Sequence, residues 1–286
     1  MTYGAFLIYS AHQETPFDQK VKNPFVVWAK QCYPLFMSNL VEHLNAITNA
    51  PTVESLWALH AEKMATYGFD RIIYGFTRYR SGGSLGDPQD WVLLTNHGDS
   101  YMEQFIGKGH LANAPMTNWA LANTGTCSWR WMWEPENLTE KEKSVVAFNL
   151  SHRVTAGYTV SFLSVSERTK GATALTAKPG LTQDDVEAIW AKHGDEITVM
   201  NNVMHLKVQT LPYSQRTLTK RQREVLQWVG DGKTTQDIAI LLDLTPATIE
   251  KHLRLARENL DVETTAQAVL KAAFYNQMFV IESEAA

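Results

Sequence analysis

The stretch Leu218-Thr219-Lys220-Arg221-Gln222-Arg223-Glu224-Val225-Leu226-Gln227-Trp228 is followed by Gly232-Lys233-Thr234, by Ile238-Ala239 and by Thr248-Ile249-Glu250-Lys251-His252-Leu253. It decides the fold of the last quarter of the chain. Thr219 caps a helix, and Gln222 three residues on reaches back to it, the spacing of a capping box. Val225, Leu226 and Val229 make an apolar stripe, and Gly232 suits a left-handed helix end. Thr234 and Asp237 repeat the capping spacing for a short second helix that stops near Asp243. Thr245 then caps a third helix with Pro246 in its first turn, where the missing N–H costs nothing.

On the third helix Ile249, Leu253, Ala256 and Leu260 share one face, while Thr248, Lys251, His252, Arg254 and Arg257 project elsewhere. Capped amphipathic helices alone describe any bundle. The order short helix, tight turn, proline-started helix with a basic face describes a helix-turn-helix that enters a major groove. The expected DNA contacts are Lys233, Thr234, Thr248, Lys251, His252, Arg254 and Arg257. A last helix, Thr264 to Tyr275, carries Ala268, Val269, Ala272 and Ala273, small residues expected to pair with a second copy.

Thr217 to Tyr275 holds eight Lys or Arg and eight acidic residues, so this region has no basic average. Phosphate binding needs only local positive charge, and Lys207 to Arg223 carries five cations (Lys207, Arg216, Lys220, Arg221, Arg223) and no acid.

The whole chain, 286 residues at net charge −4, is long enough for two domains. No apolar run approaches the roughly 20 residues of a membrane span, and no basic-then-apolar leader opens the sequence. A cytoplasmic protein without a membrane partner is expected. Cys32 and Cys127 suit neither a disulfide framework nor a zinc site, and neither HExxH, a phosphate loop nor a G-x-S-x-G elbow occurs. No cofactor, metal or enzymatic activity is expected.

From residue 38 to 209 helical and apolar strand segments alternate, predicting an α/β/α sandwich around a mixed sheet, ahead of an all-α helix-turn-helix domain. The expected division is an aromatic-rich extension over 1–37, a sensor over 38–209, a linker over 210–216 punctuated by Pro212, and the helix-turn-helix over 217–282. Trp129, Trp131 and Trp133 alternate, so on a strand they would share one face.

Leu218 to Ala272 resembles the DNA-binding domain of LuxR-type quorum-sensing regulators, with Gln222 where that family usually carries glutamate. The sensor segment resembles the autoinducer-binding fold of the same family more faintly. When Ala114-Pro115 is set on the family's Asp-Pro pair, Tyr101 falls where a tryptophan is usual and Phe105 where a tyrosine is, while Trp129 and Gly157 match outright. The resemblance implies a ligand site at His97, Tyr101, Phe105, Ala114, Trp129, Gly157 and Thr173, with the carboxylate that accepts a lactone ligand's amide N–H missing at Ala114.

The reading is a homodimeric transcription regulator that senses a small apolar signal and binds a pseudo-palindromic operator. The signal is not necessarily a standard acyl-homoserine lactone. Alternatives are an atypical acyl-homoserine lactone receptor and a ligand-independent dimer whose pocket is filled by its own aromatics. A further alternative is an enzyme using Cys127 or Ser128 with His152.

Overall fold

The structure, a computed structural model, describes residues 39–82, 84–213 and 216–278. The expected extension over 1–37, with Cys32, lies outside the described residues, as do Ser214 and Gln215 of the expected linker.

Helix α1 covers 39–48. Thr52 then caps α2 (Val53–Thr66) in a reciprocal box with Ser55. Strand β1 (Arg71–Thr77) leads through a hairpin containing a 3-10 turn (Pro88–Asp90) into β2 (Val92–Thr95). Helices α3 (Asp99–Gly107), α4 (His110–Asn113) and α5 (Pro115–Ala122) follow, then β3 (Gly125–Ser128), α6 (Glu140–Ser151), β4 (Gly157–Ser161), β5 (Lys170–Thr176) and the long α7 (Gln183–Val208).

The strands order as β2-β1-β5-β4-β3, and every neighbouring pair is antiparallel, so the sheet is not mixed as expected. Period-two alternation on β1 and β5 divides two cores. Ile72, Tyr74 and Leu175 pack with Leu56, Met64, Ile197 and Met204 of α2 and α7. Ile73 and Ala174 face the opposite way, onto Tyr101, Phe105, Met116, Trp129, Met132 and Val145. The helix–sheet–helix layering is that of the expected sandwich.

Helix α7 runs unbroken through Gly194, where the Trp190 ring lies 2.7 Å from the place a β-carbon would take, so the glycine admits the indole. One local expectation changes. Trp129 to Trp133 form a 3-10 turn, so the three tryptophans share no strand face. Trp129 and Met132, three residues apart, are the buried pair, as the 3-10 period dictates.

The C-terminal helices are α8 (Lys220–Gly230), α9 (Thr235–Leu241), α10 (Pro246–Leu260) and α11 (Thr265–Phe274), capped by Thr219, Thr234, Thr245 and Thr264. Gly232 at φ +81° and Asp243 at φ 52° make the turns after α8 and α9. Gln222 Oε1 completes the Thr219 box at 2.9 Å and also accepts from Asn259 Nδ2 at 3.1 Å, tying α8 to α10 without a carboxylate. Ala268 and Ala272 are fully buried in this domain's own core with Leu226, Ile249 and Leu260. These two of the four residues expected to pair with a second copy are therefore not free to do so, whereas Ala273 is exposed.

Candidate ligand cavity and nucleic-acid interface

A cavity of about 150 Å³ lies between the sheet and helices α3 to α6. Ile73, Gly75, Ala172 and Ala174 floor it. Tyr101, Phe105, Leu111, Ala114, Met116, Trp129, Met132 and Val154 form its walls, and Leu85, Trp91 and Leu93 of the β1–β2 hairpin close one side. Small residues at Gly75, Ala172 and Ala174 hollow the floor; a β-carbon at Gly75 would meet nothing within 4 Å.

Two polar pairs interrupt this apolar lining. The Tyr101 hydroxyl donates to Asn149 Oδ1 at 2.9 Å, and Trp129 Nε1 donates to Thr159 Oγ1 at 2.9 Å. Tyr101 stacks on Phe105 and Phe148, each with ring centroids 5.3 Å away, and burial pushes its phenol up. It stays a neutral donor. Lys170 also reaches the wall, its ammonium donating to the Asn123 carbonyl at 2.8 Å.

In the other half, α10 turns Ile249, Leu253, Ala256 and Leu260 into the core. Lys251 and Arg254 stand exposed on the opposite side, while Thr248, His252 and Arg257 are half-buried. Arg254 pairs with Glu258 at 2.6 Å, and Arg257 donates to Thr265 Oγ1 at 2.9 Å. Lys233 and Thr234 are exposed at the start of α9, where the Thr234 hydroxyl and Asp237 cap each other. A basic side chain sits at each end of this surface, and α10 has the length to lie in a groove.

Residues 52–208 match the autoinducer binding domain, and residues 216–272 match the bacterial regulatory proteins of the luxR family. The chain belongs to the LuxR-type transcription regulators. Similar proteins include the transcriptional activator protein AnoR of Acinetobacter nosocomialis, 21% identical over 80% of this chain and 94% of that one. The quorum sensing-dependent regulator RpaR of Rhodopseudomonas palustris is 39% identical over 21% of this chain and 25% of its own length. Among solved structures, Escherichia coli SdiA aligns over 86% of this chain and all of that one at 16% identity and TM-score 0.45.

Of the residues expected at the ligand, Tyr101, Phe105, Ala114 and Trp129 line the cavity, and His97, Gly157 and Thr173 do not. His97 stacks behind Tyr101 at 4.6 Å, with Nε2 3.4 Å from Thr176 Oγ1, and burial lowers its pKa to about 4. Gly157 is a seat for Trp129: a β-carbon there would lie 2.8 Å from the indole and 2.3 Å from the Leu175 carbonyl oxygen. Thr173 points into the other core, opposite Tyr74 and Val160, because it is one residue out of phase with Ala172 and Ala174.

Sequence reasoning missed Asn149, Met116, Met132 and the hairpin wall. Arg216, counted among the five cations of Lys207 to Arg223, is enclosed by Asp87, Asp90 and Asp261. The nucleophile pairing fails on geometry. His152 Nδ1 lies 3.0 Å from both the Phe148 carbonyl and Ser151 Oγ, whereas the Ser128 hydroxyl binds Glu187, and burial raises the Cys127 thiol. Among the described residues no group of His, Cys, Asp or Glu could hold a metal ion, and no helix is long and apolar enough to cross a membrane.

Proposed function

We propose that the cavity takes a neutral, largely apolar small molecule carrying one hydrogen-bonding group, and that its occupancy regulates DNA binding. The carrying observation is the open, apolar space beside the Tyr101–Asn149 pair. Its own aromatics do not fill it, which disfavours a ligand-independent regulator with a closed pocket. A carboxylate is absent at Ala114, so an acyl-homoserine lactone's amide N–H loses an acceptor there, at a cost of roughly 1 to 3 kcal/mol. Amide-free ligands of similar size escape that penalty.

The DNA site is Lys233, Thr234, Thr248, Lys251, His252, Arg254 and Arg257, acting from α9 and α10. Two copies bound to a pseudo-palindromic operator complete the reading, in a cytoplasmic homodimer, since two recognition helices match half-sites about one helical turn apart. The exposed Leu270 and Phe274 of α11 are the apolar residues that such a dimer would use in place of the buried alanines. The domain limits 38–209, 210–216 and 217–282 belong to the same proposal. They are supported by the end of α7 at Val208 and the Thr219 cap of α8.

Ala114→Asp tests the ligand reading. The variant is expected to bind an acyl-homoserine lactone about 10- to 100-fold more tightly than the natural chain, by calorimetry. No gain would remove Ala114 from the ligand's polar end.

A further inference from the structure

The hairpin that closes the cavity also grips the DNA-binding half. Asp90, in the 3-10 turn, has a side chain only 8% exposed. Its Oδ2 lies 3.0 Å from Lys271 Nζ of α11, itself 9% exposed, and its Oδ1 lies 3.2 Å from Arg216 Nε. The Tyr275 hydroxyl donates to the same carboxylate. Arg216 reaches on to Asp87 at 2.6 Å. Two acids of the hairpin thus meet Arg216 and Lys271; Asp87 is exposed, but Asp90 and Lys271 are largely shielded from water, where removing one of the two leaves the other buried and short of a partner.

The next residue, Trp91, is cavity wall, and its indole N–H is fixed to the Leu85 carbonyl, another wall residue, at 2.8 Å. One peptide bond separates the group that would touch a ligand from the group that holds α11. A rigid short turn cannot shift Trp91 without shifting Asp90.

We propose that Asp90 with Lys271 is the element that transmits cavity occupancy to the DNA-binding domain. This rests on the cavity and the helix-turn-helix acting as proposed above. Coupling of this kind appears as a change in affinity at one site when the other is filled, typically 5- to 150-fold.

Gly75 supplies an occupant that needs no identified signal. It lies on the cavity floor, opposite Leu93 of the hairpin side, with open space above it. Gly75→Leu therefore places an apolar side chain in the cavity. Asp90→Asn with Lys271→Met removes the ion pair, while Arg216 keeps Asp87 and Asp261 as partners.

The experiment measures full-chain affinity for a duplex that the natural protein selects from a random pool. It also measures energy transfer between dyes at Lys141→Cys and Gln236→Cys, with Cys32 and Cys127 changed to serine. Each variant is first checked for a cooperative melt. Gly75→Leu is expected to change duplex affinity at least fivefold and to shift the transfer efficiency; in the Asp90→Asn/Lys271→Met background the affinity change falls below twofold and the shift disappears. Equal changes in both backgrounds, or none in either, overturn the proposal. If the natural chain selects no duplex, the DNA reading fails separately, and the energy-transfer comparison still decides the coupling.

Discussion

The Tyr101 hydroxyl donates to Asn149 Oδ1 at 2.9 Å, joining α3 to α6 in the wall of the apolar cavity. The bond satisfies the hydroxyl of a residue only 6% exposed, and both partners line the cavity. A ligand polar group placed there meets a neutral donor rather than a carboxylate.

Asn149→Ala strands the Tyr101 hydroxyl and is expected to lower stability by about 1 to 3 kcal/mol, read as a lower urea midpoint. Tyr101→Phe with Asn149→Leu, which removes both partners, should lose less. A double variant less stable than Asn149→Ala would show that the pair is not a mutually satisfied bond.

Gly157→Ala forces its new methyl into the Leu175 carbonyl and the Trp129 ring. The expected cost is about 1 to 3 kcal/mol of overpacking, with a changed near-ultraviolet circular dichroism signal as Trp129 is displaced. An unchanged melt and spectrum would mean that Trp129 is not seated on this glycine.

Lys251→Ala with Arg254→Ala removes the two exposed cations of α10. Duplex binding should fall to background with folding intact. Each single variant should reduce the slope of log affinity against log salt by about one if its cation neutralises a phosphate. Unchanged affinity in a gel shift would move the interface off α10.

Burial, reinforced by Arg78, lowers His205 to about 4; its Nδ1 bonds the Tyr74 hydroxyl at 2.8 Å, and its ring stacks on Phe162. The folded chain keeps this imidazole neutral while the unfolded chain binds a proton near pH 6.5. Stability is therefore intact above pH 6.5 and falls as pH drops from 6.5 towards 4, by about 2 kcal/mol at pH 5 from this group alone. His60 and His97, lowered to about 3 and about 4, act in the same direction. Urea midpoints at pH 7 and pH 5 check it, and equal midpoints would contradict it.

The helix-turn-helix was legible because its signals are local. Thr219, Thr234, Thr245 and Thr264 each act within one turn of their helices, and Gly232 and Asp243 sit where the chain needs positive φ. The cavity was legible only where one side chain per element could be placed by spacing. Thr173 failed because a shift of one residue on a strand reverses its face. Asn149 gave no signal, since nothing near it in sequence reveals that α6 returns to Tyr101. That Asp90 would find Lys271 and Arg216 depends on how the halves pack, which no local pattern encodes.

The most direct test of the central claim is a calorimetric titration of the full chain with two probes of matched chain length, N-octanoyl homoserine lactone and an alkyl γ-lactone lacking the amide. The account predicts that the amide-free lactone binds about tenfold or more tightly than the acyl-homoserine lactone, because nothing at Ala114 accepts the amide proton. Tighter binding of the acyl-homoserine lactone would contradict it.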